Sequence, residues 1–335
     1  MGADALIDEP TLATVTADVR RALTERWPAG GDRLDDISRY ALLGEGKLLR
    51  PLLLVTSAEA VGGDRETVMP AALAAEYLHV ASLAHDDIID GDETRRGRAS
   101  VHARYGVSEA IVTGDALIIG LFAALAECAV PEANIVSAVR IFAQAGVDLC
   151  RGQMEEAVLV PPGHATPGSG LAAYLRMAGL KTGALFRGAC QAGAVLGGGT
   201  PDEVDVVTGF AEHIGLAFQM YDDLLPFLGE DAVTGKPGTS DVANLRPTFP
   251  VLLAHREGGP AERRVIARVL SGGLPPETAL AALREVVVAT GALDAARARA
   301  REEVRLAKSG LGVLPVAEAA GLLGAVADLA VRRER

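Results

Sequence analysis

Little in this sequence is aromatic, sulfur-bearing or basic, and each shortage narrows what the chain can be. Phe, Trp and Tyr make up 4% of the 335 residues while hydrophobic residues make up 49%, so a sizeable core can form and must be aliphatic. The three cysteines, Cys128, Cys150 and Cys190, lack metal-ligand spacing. They read as reduced, buried small residues in a cytoplasmic protein. Basic residues number 32 against 44 acidic ones, a net charge of −12, which argues against a nucleic-acid-binding face. Any anionic ligand must then be held by local basic residues or by metal ions. Lysine is the scarcest charge: 4 residues, Lys47, Lys181, Lys236 and Lys308, against 28 arginines. A lysine kept among so many arginines offers a compact point charge rather than a planar fork. The opening MGADALIDEP lacks the basic and apolar regions of a signal peptide. The most apolar stretch, 116–126, lies between Asp115 and Glu127 and is too short to span a bilayer, so no transmembrane segment is expected.

What is present is helical spacing. Ala, Leu, Glu and Arg are abundant, and strand-like alternation is scarce. Breaks rich in Gly and Pro fall between segments of several turns, and the stretch 229–247 is long for a compact fold, as binding segments often are. With no internal repeat and no linker, residues 1–335 read as a single all-α domain, one large helical bundle.

An apolar helical run over 71–84 leads into His85-Asp86-Asp87-Ile88-Ile89-Asp90, with Asp92 and Glu93 after it. Asp86 and Asp90 stand at i and i+4, so both carboxylates share one helix face and repel unless a cation lies between them. Hard oxygen donors suit Mg²⁺, which keeps waters and shares substrate phosphates. A lone pair of this kind is as often a solvated helix end. Here the acids extend a buried helix, and Arg95, Arg96 and Arg98 follow at once, a mixture suited to metal and phosphate.

A second helix begins at Pro201 behind the N-cap Thr200 and runs to Phe218-Gln219-Met220-Tyr221-Asp222-Asp223. Gln219, Asp222 and Asp223 lie within about one turn. Pro226 removes an amide and crowds the carbonyl of Asp222, so a kink or helix end is expected just beyond Asp223.

Basic residues complete the pattern: Lys47 and Arg50 in GKLLRP, Lys181 in KTG, and Lys236 in the long loop. The order GKLLRP, EYLHVASLAHDDIID, ETRRG, KTGALF, FQMYDD, GK and RPTFPVLLA resembles the trans-polyprenyl diphosphate synthase family over roughly residues 40 to 255. The resemblance implies a large all-α bundle around a central cavity, usually a homodimer, with about three Mg²⁺ per active site. It makes Asp86 and Asp90 ligands of Mg²⁺ bridging an allylic diphosphate, and Asp222, supported by Asp223, the ligand of a further ion. Arg95, Lys181, Gln219 and Lys236 would hold the allylic diphosphate, and Lys47, Arg50, His79 and Arg96 isopentenyl diphosphate. Gln153 and Thr182 match positions near the reacting carbons. The sequence departs from the family at Pro226, where a third aspartate is usual, and at Arg246, where lysine is usual.

The implied chemistry is ionisation, condensation and elimination. Metal ions and Lys181, Lys236 and Arg95 offset the charge on the departing diphosphate, and the aliphatic helices keep the carbocation dry. His85 reads as a helix residue bonded to Asp or to backbone rather than as a base. A growing tail running down the helix from Asp86 first meets Ser82 and Ala81, both small, so a product of C20 or longer is expected. Ile118, Leu121 and Phe122 are candidates for the floor of that channel and fit an ordinary core equally well. A terpene cyclase of the same architecture would favour aromatic faces for its cations, which this chain lacks, and has no need of a second diphosphate site. A non-catalytic partner subunit is favoured by Pro226 and opposed by the intact acidic segments and lysines. The segment after residue 256 reads as structural.

Overall fold

The computed structural model describes residues 9–44, 46–159, 169–228 and 239–331. They are almost wholly helical, as expected, with one two-stranded hairpin among the described residues. The chain divides into two compact units.

The first unit comprises Met1–Gly146, Leu185–Ala211 and Ala307–Leu329. Its spine is the helix Arg65–Asp90, which starts where the Asp64 carboxylate accepts the Glu66 amide at 2.8 Å and stops at Gly91, φ +69°. The apolar helix Val107–Ala126 packs along it through Ala110, Thr113, Gly114, Leu117, Leu121, Ala124 and Leu125, all buried. This helix has 20 residues, so the apolar run is longer than 116–126 suggests and long enough by length and composition alone to cross a membrane; its buried face is that of a core helix. Leu53, Leu54 and Val55 of the helix Leu49–Ala60 are fully buried.

The second unit comprises Val147–Ala184, Glu212–Leu306 and Ala330–Arg335. Tyr174, Met177, Met220, Leu224, Phe249, Leu253, Ile266, Leu283 and Val287 form one continuous core there. The segment after residue 256, for which only structural use was expected, supplies much of it through the helices Pro260–Leu270 and Pro276–Ala289. The helix Pro201–Asp222 ends ahead of Pro226, one residue before the break expected just beyond Asp223.

Candidate active site

In the first unit, the last turn of Arg65–Asp90 splits its aspartates by exposure. Asp86 and Asp90 are half-buried, while Asp87 is 2% exposed. A charged partner offsets the cost of burying a carboxylate to that degree. Asp87 has one: Arg95 donates from Nε to its Oδ1 at 2.8 Å and from Nη2 to the same oxygen, with Asp92 3.7 Å away. Arg95, expected at the allylic diphosphate, is thus anchored by Asp87, whose part the sequence did not suggest.

The hairpin that follows pairs Thr94 with Ala99 and Arg95 with Arg98, leaving Arg96 and Gly97 as its two-residue loop. Both have positive φ, +52° and +73°, the left-handed geometry of a type I′ turn. Gly97 adopts it freely, whereas Arg96 is strained. Strain of this kind is a feature of functional sites, and here it accompanies a contact with a second candidate residue: Arg96 Nη2 lies 3.4 Å from His79 Nε2. Burial, with help from Arg50, Arg96 and Arg95, pushes the His79 imidazole well below its usual range, so it is neutral and acts by hydrogen bonding.

Arg50 is buried near the start of Leu49–Ala60, its guanidinium carbon 4.9 Å from the Phe186 ring centre. Lys47 is exposed just ahead of that helix, whose positive N-terminal end favours anions. One turn before His79, Glu76 is fully buried, and neither carboxylate oxygen has a hydrogen-bond partner. Burial pushes it up to about 7 against the pull of Arg96, Arg50 and Arg20. Ala81 is buried, and the Ser82 hydroxyl donates to the His79 carbonyl at 2.7 Å. His85 Nε2 sits 3.2 Å from the Ile111 carbonyl, the structural bond expected of it.

In the second unit, Lys181 and Thr182 lie in a π-helical turn, Gly179–Gly183. Such turns are short, and frequent at functional sites. Gly152 permits it: a Cβ there would run into the Lys181 backbone. The neighbouring Gln153 is half-buried, and one turn further Glu156 accepts Lys181 Nζ at 2.6 Å and Arg246 Nη2 at 3.1 Å. Glu156 therefore gathers two cations that the sequence marked separately. Lys236 lies outside the described residues.

Thr182 Oγ1 donates to Gln219 Oε1 at 2.6 Å, and Gln219 Nε2 donates to Asp223 Oδ1 at 2.9 Å. Asp223 Oδ2 accepts from the Tyr174 hydroxyl at 2.7 Å and from the Phe249 amide at 2.8 Å. Asp222 is half-buried, whereas Asp223 is 6% exposed. Burial, and the charge of Asp241, push Asp223 up to about 7 despite its three donors. Pro226 is buried in the short helix Leu225–Leu228, and its carbonyl accepts Arg284 Nε at 2.7 Å.

The donor set suits Mg²⁺. Asp86 and Asp90 share one helix face as a pair of half-buried carboxylates, and among the described residues no group of three or more His, Cys, Asp or Glu side chains is placed to hold a metal ion. A pair of hard oxygen donors fits an ion such as Mg²⁺, which keeps several waters and shares substrate phosphates.

A family model described as polyprenyl synthetase matches residues 32–286. The chain is 35% identical over 302 residues to a short chain isoprenyl diphosphate synthase of Methanothermobacter thermautotrophicus, covering 89% of each. It is 34% identical over 291 residues to a (2E,6E)-farnesyl diphosphate synthase of Mycobacterium bovis, covering 84% of this chain and 79% of that one. The crystal structure of a polyprenyl synthase from Caulobacter crescentus CB15, complexed with calcium and isoprenyl diphosphate, superposes with a TM-score of 0.87 at 29% identity over 97% of both chains.

Proposed function

This chain belongs to the polyprenyl synthetase family, and on that footing we propose that it joins isopentenyl diphosphate to an allylic diphosphate, giving a linear polyprenyl diphosphate of C20 or longer. The observation that carries the reading is the doubled arrangement of half-buried aspartates, Asp86 with Asp90 in one segment and Asp222 in the other, with Arg95 held by Asp87 in the first unit and Lys181 held by Glu156 in the second. The family match runs from residue 32 to 286 and includes residues of both compact units, which supports reading 1–335 as one synthase domain.

Asp86, Asp90 and Asp222 would hold Mg²⁺, about three ions per site, with Asp223 in support. When bound, these ions offset charge on the departing diphosphate. Lys181, Gln219, Arg95 and Lys236 bind the allylic diphosphate. Lys47, Arg50, Arg96 and the neutral His79 bind isopentenyl diphosphate, the imidazole taking a hydrogen bond from Arg96 and giving one to phosphate. Thr182 and Gln153 face the reacting carbons. The carbocation forms as the allylic C–O bond breaks. The isopentenyl double bond attacks it, and the proton then lost passes to the released pyrophosphate. Ala81 and Ser82 leave room for a tail past C15, the length named for the Mycobacterium bovis relative.

The working form is a cytoplasmic homodimer. Val112, Ile119 and Phe122 are 57%, 69% and 44% exposed on Val107–Ala126, an apolar face that a second copy covers. Pyrophosphate release tests the whole reading. It is expected only when both diphosphates and Mg²⁺ are present, and release from the allylic diphosphate alone would favour a cyclase.

A further inference from the structure

The structure assigns Asp223 to the positioning of Gln219 and Thr182, with Tyr174 holding Asp223 in place, rather than to the metal. This inference rests on the proposed prenyl transfer, adds Tyr174 to its machinery and gives Asp223 a different part. Every oxygen of Asp223 is already engaged: Oδ1 by Gln219 Nε2, Oδ2 by the Tyr174 hydroxyl and the Phe249 amide. The side chain is buried within the core that contains Tyr174, Met220, Leu224 and Phe249. Mg²⁺ at Oδ2 would have to displace the hydroxyl of Tyr174 and the amide of Phe249, both 2% exposed, whereas Asp222, next to it, is half-buried.

The chain of bonds has a direction. A backbone amide can only donate, so Asp223 serves Phe249 as an acceptor. A carboxylate acceptor then selects the NH₂ end of the Gln219 amide, which turns the carbonyl end toward Thr182. The Thr182 hydroxyl spends its one proton on that carbonyl, at 2.6 Å. What Thr182 presents on its other side is lone pairs, and lone pairs beside a developing allylic cation lower its energy. Tyr174 keeps the carboxylate from rotating. Its ring is stacked at a tilt on Phe249, centres 5.5 Å apart, and its hydroxyl is spent on Asp223.

Asp223→Asn makes the prediction sharp. The new amide must accept from Phe249 and Tyr174 through its oxygen, so its NH₂ faces Gln219. Gln219 must flip, its NH₂ then donates to Thr182, and the Thr182 proton swings outward. An attractive lone pair becomes a repulsive proton with no change in shape.

The experiment compares wild type, Asp223→Asn, Thr182→Val and the double variant. It measures kcat, the KM of each diphosphate and the Mg²⁺ dependence, with calorimetric titration of Mg²⁺ and inorganic pyrophosphate into the same four proteins. D223N is expected to lower kcat by about 100-fold, with KM values and the titration unchanged. In the T182V background it should have little further effect, because the hydroxyl it acts through is gone. Tyr174→Phe, which keeps the polarity of the chain, should lower kcat only a few-fold. If the D223N and T182V losses multiply, or if D223N needs more Mg²⁺ and recovers when metal is saturating, the inference is overturned and Asp223 is a ligand. A wild type that makes no prenyl product would defeat the proposed function separately. The Gln219 side-chain amide resonances, expected to shift in D223N, and the calorimetry would still decide the role of Asp223.

Discussion

Each acidic segment carries two adjacent aspartates, and the pair divides the same way in both: Asp86 and Asp222 half-buried, Asp87 and Asp223 buried. The inner members are held differently. Asp87 is met by the guanidinium of Arg95, while Asp223 is met only by neutral donors, a phenol and two amides. A buried carboxylate with a cation keeps its charge cheaply; one with neutral donors rises toward neutral pH, as Asp223 does. The first segment therefore uses its inner aspartate to anchor a cation, and the second uses its own to set the direction of a hydrogen-bond chain.

Breaking the outer members should have the largest effect. Asp86→Ala is expected to lower turnover by on the order of 1,000-fold or more, with a smaller change in melting temperature than for Asp87, since the Asp86 side chain is half-buried and Asp87 is buried. An unchanged rate in a steady-state assay would remove Asp86 from the metal set.

Breaking the inner members should separate the two segments by stability. Asp87→Asn leaves Arg95 only the more distant carboxylate of Asp92, and removing one partner of a buried pair costs about 3–5 kcal/mol. Asp223→Asn keeps the donors satisfied and should cost about 1 kcal/mol or less, as for a single neutral hydrogen bond. Thermal or urea unfolding of the two variants side by side checks this, and equal losses would erase the distinction drawn between cationic and neutral support.

A third aspect is pH. Glu76 is raised to about 7 in the fold from an ordinary 4.5, so it binds its proton more tightly folded than unfolded. The stability this gives is fully present below about 4.5 and is lost as pH rises through about 7. Glu76→Gln has no proton to lose. Relative to wild type it should gain on the order of 2–3 kcal/mol between pH 4.5 and 8. Asp223, also raised to about 7, leaves a slope of the same sign in the variant. Melting curves that stay parallel across that range would show Glu76 ionised throughout.

The sequence makes the outer aspartates legible because helical spacing alone puts Asp86 and Asp90 on one face and marks the helix end before Pro226. It also makes Lys181 and Thr182 visible, by rarity and by resemblance. It hides the supporting shell, because those partners lie far apart along the chain: Tyr174 and Asp223, Glu156 and Lys181, Glu156 and Arg246. Glu76 is hidden for another reason, since it reads as one polar residue in an apolar run, and only burial reveals it. The π-helical turn at Lys181 has no spacing signal of its own. Its trace is Gly152, whose missing side chain lets the turn pack.

Sizing the products tests the central claim most directly. Purified protein with Mg²⁺ and labelled isopentenyl diphosphate is incubated with allylic diphosphates of C5, C10, C15 and C20. Linear prenyl diphosphates of C20 or longer, lost on chelating the metal, are expected. A cyclic hydrocarbon, a series that stops at C15, or no product with any primer would contradict the account.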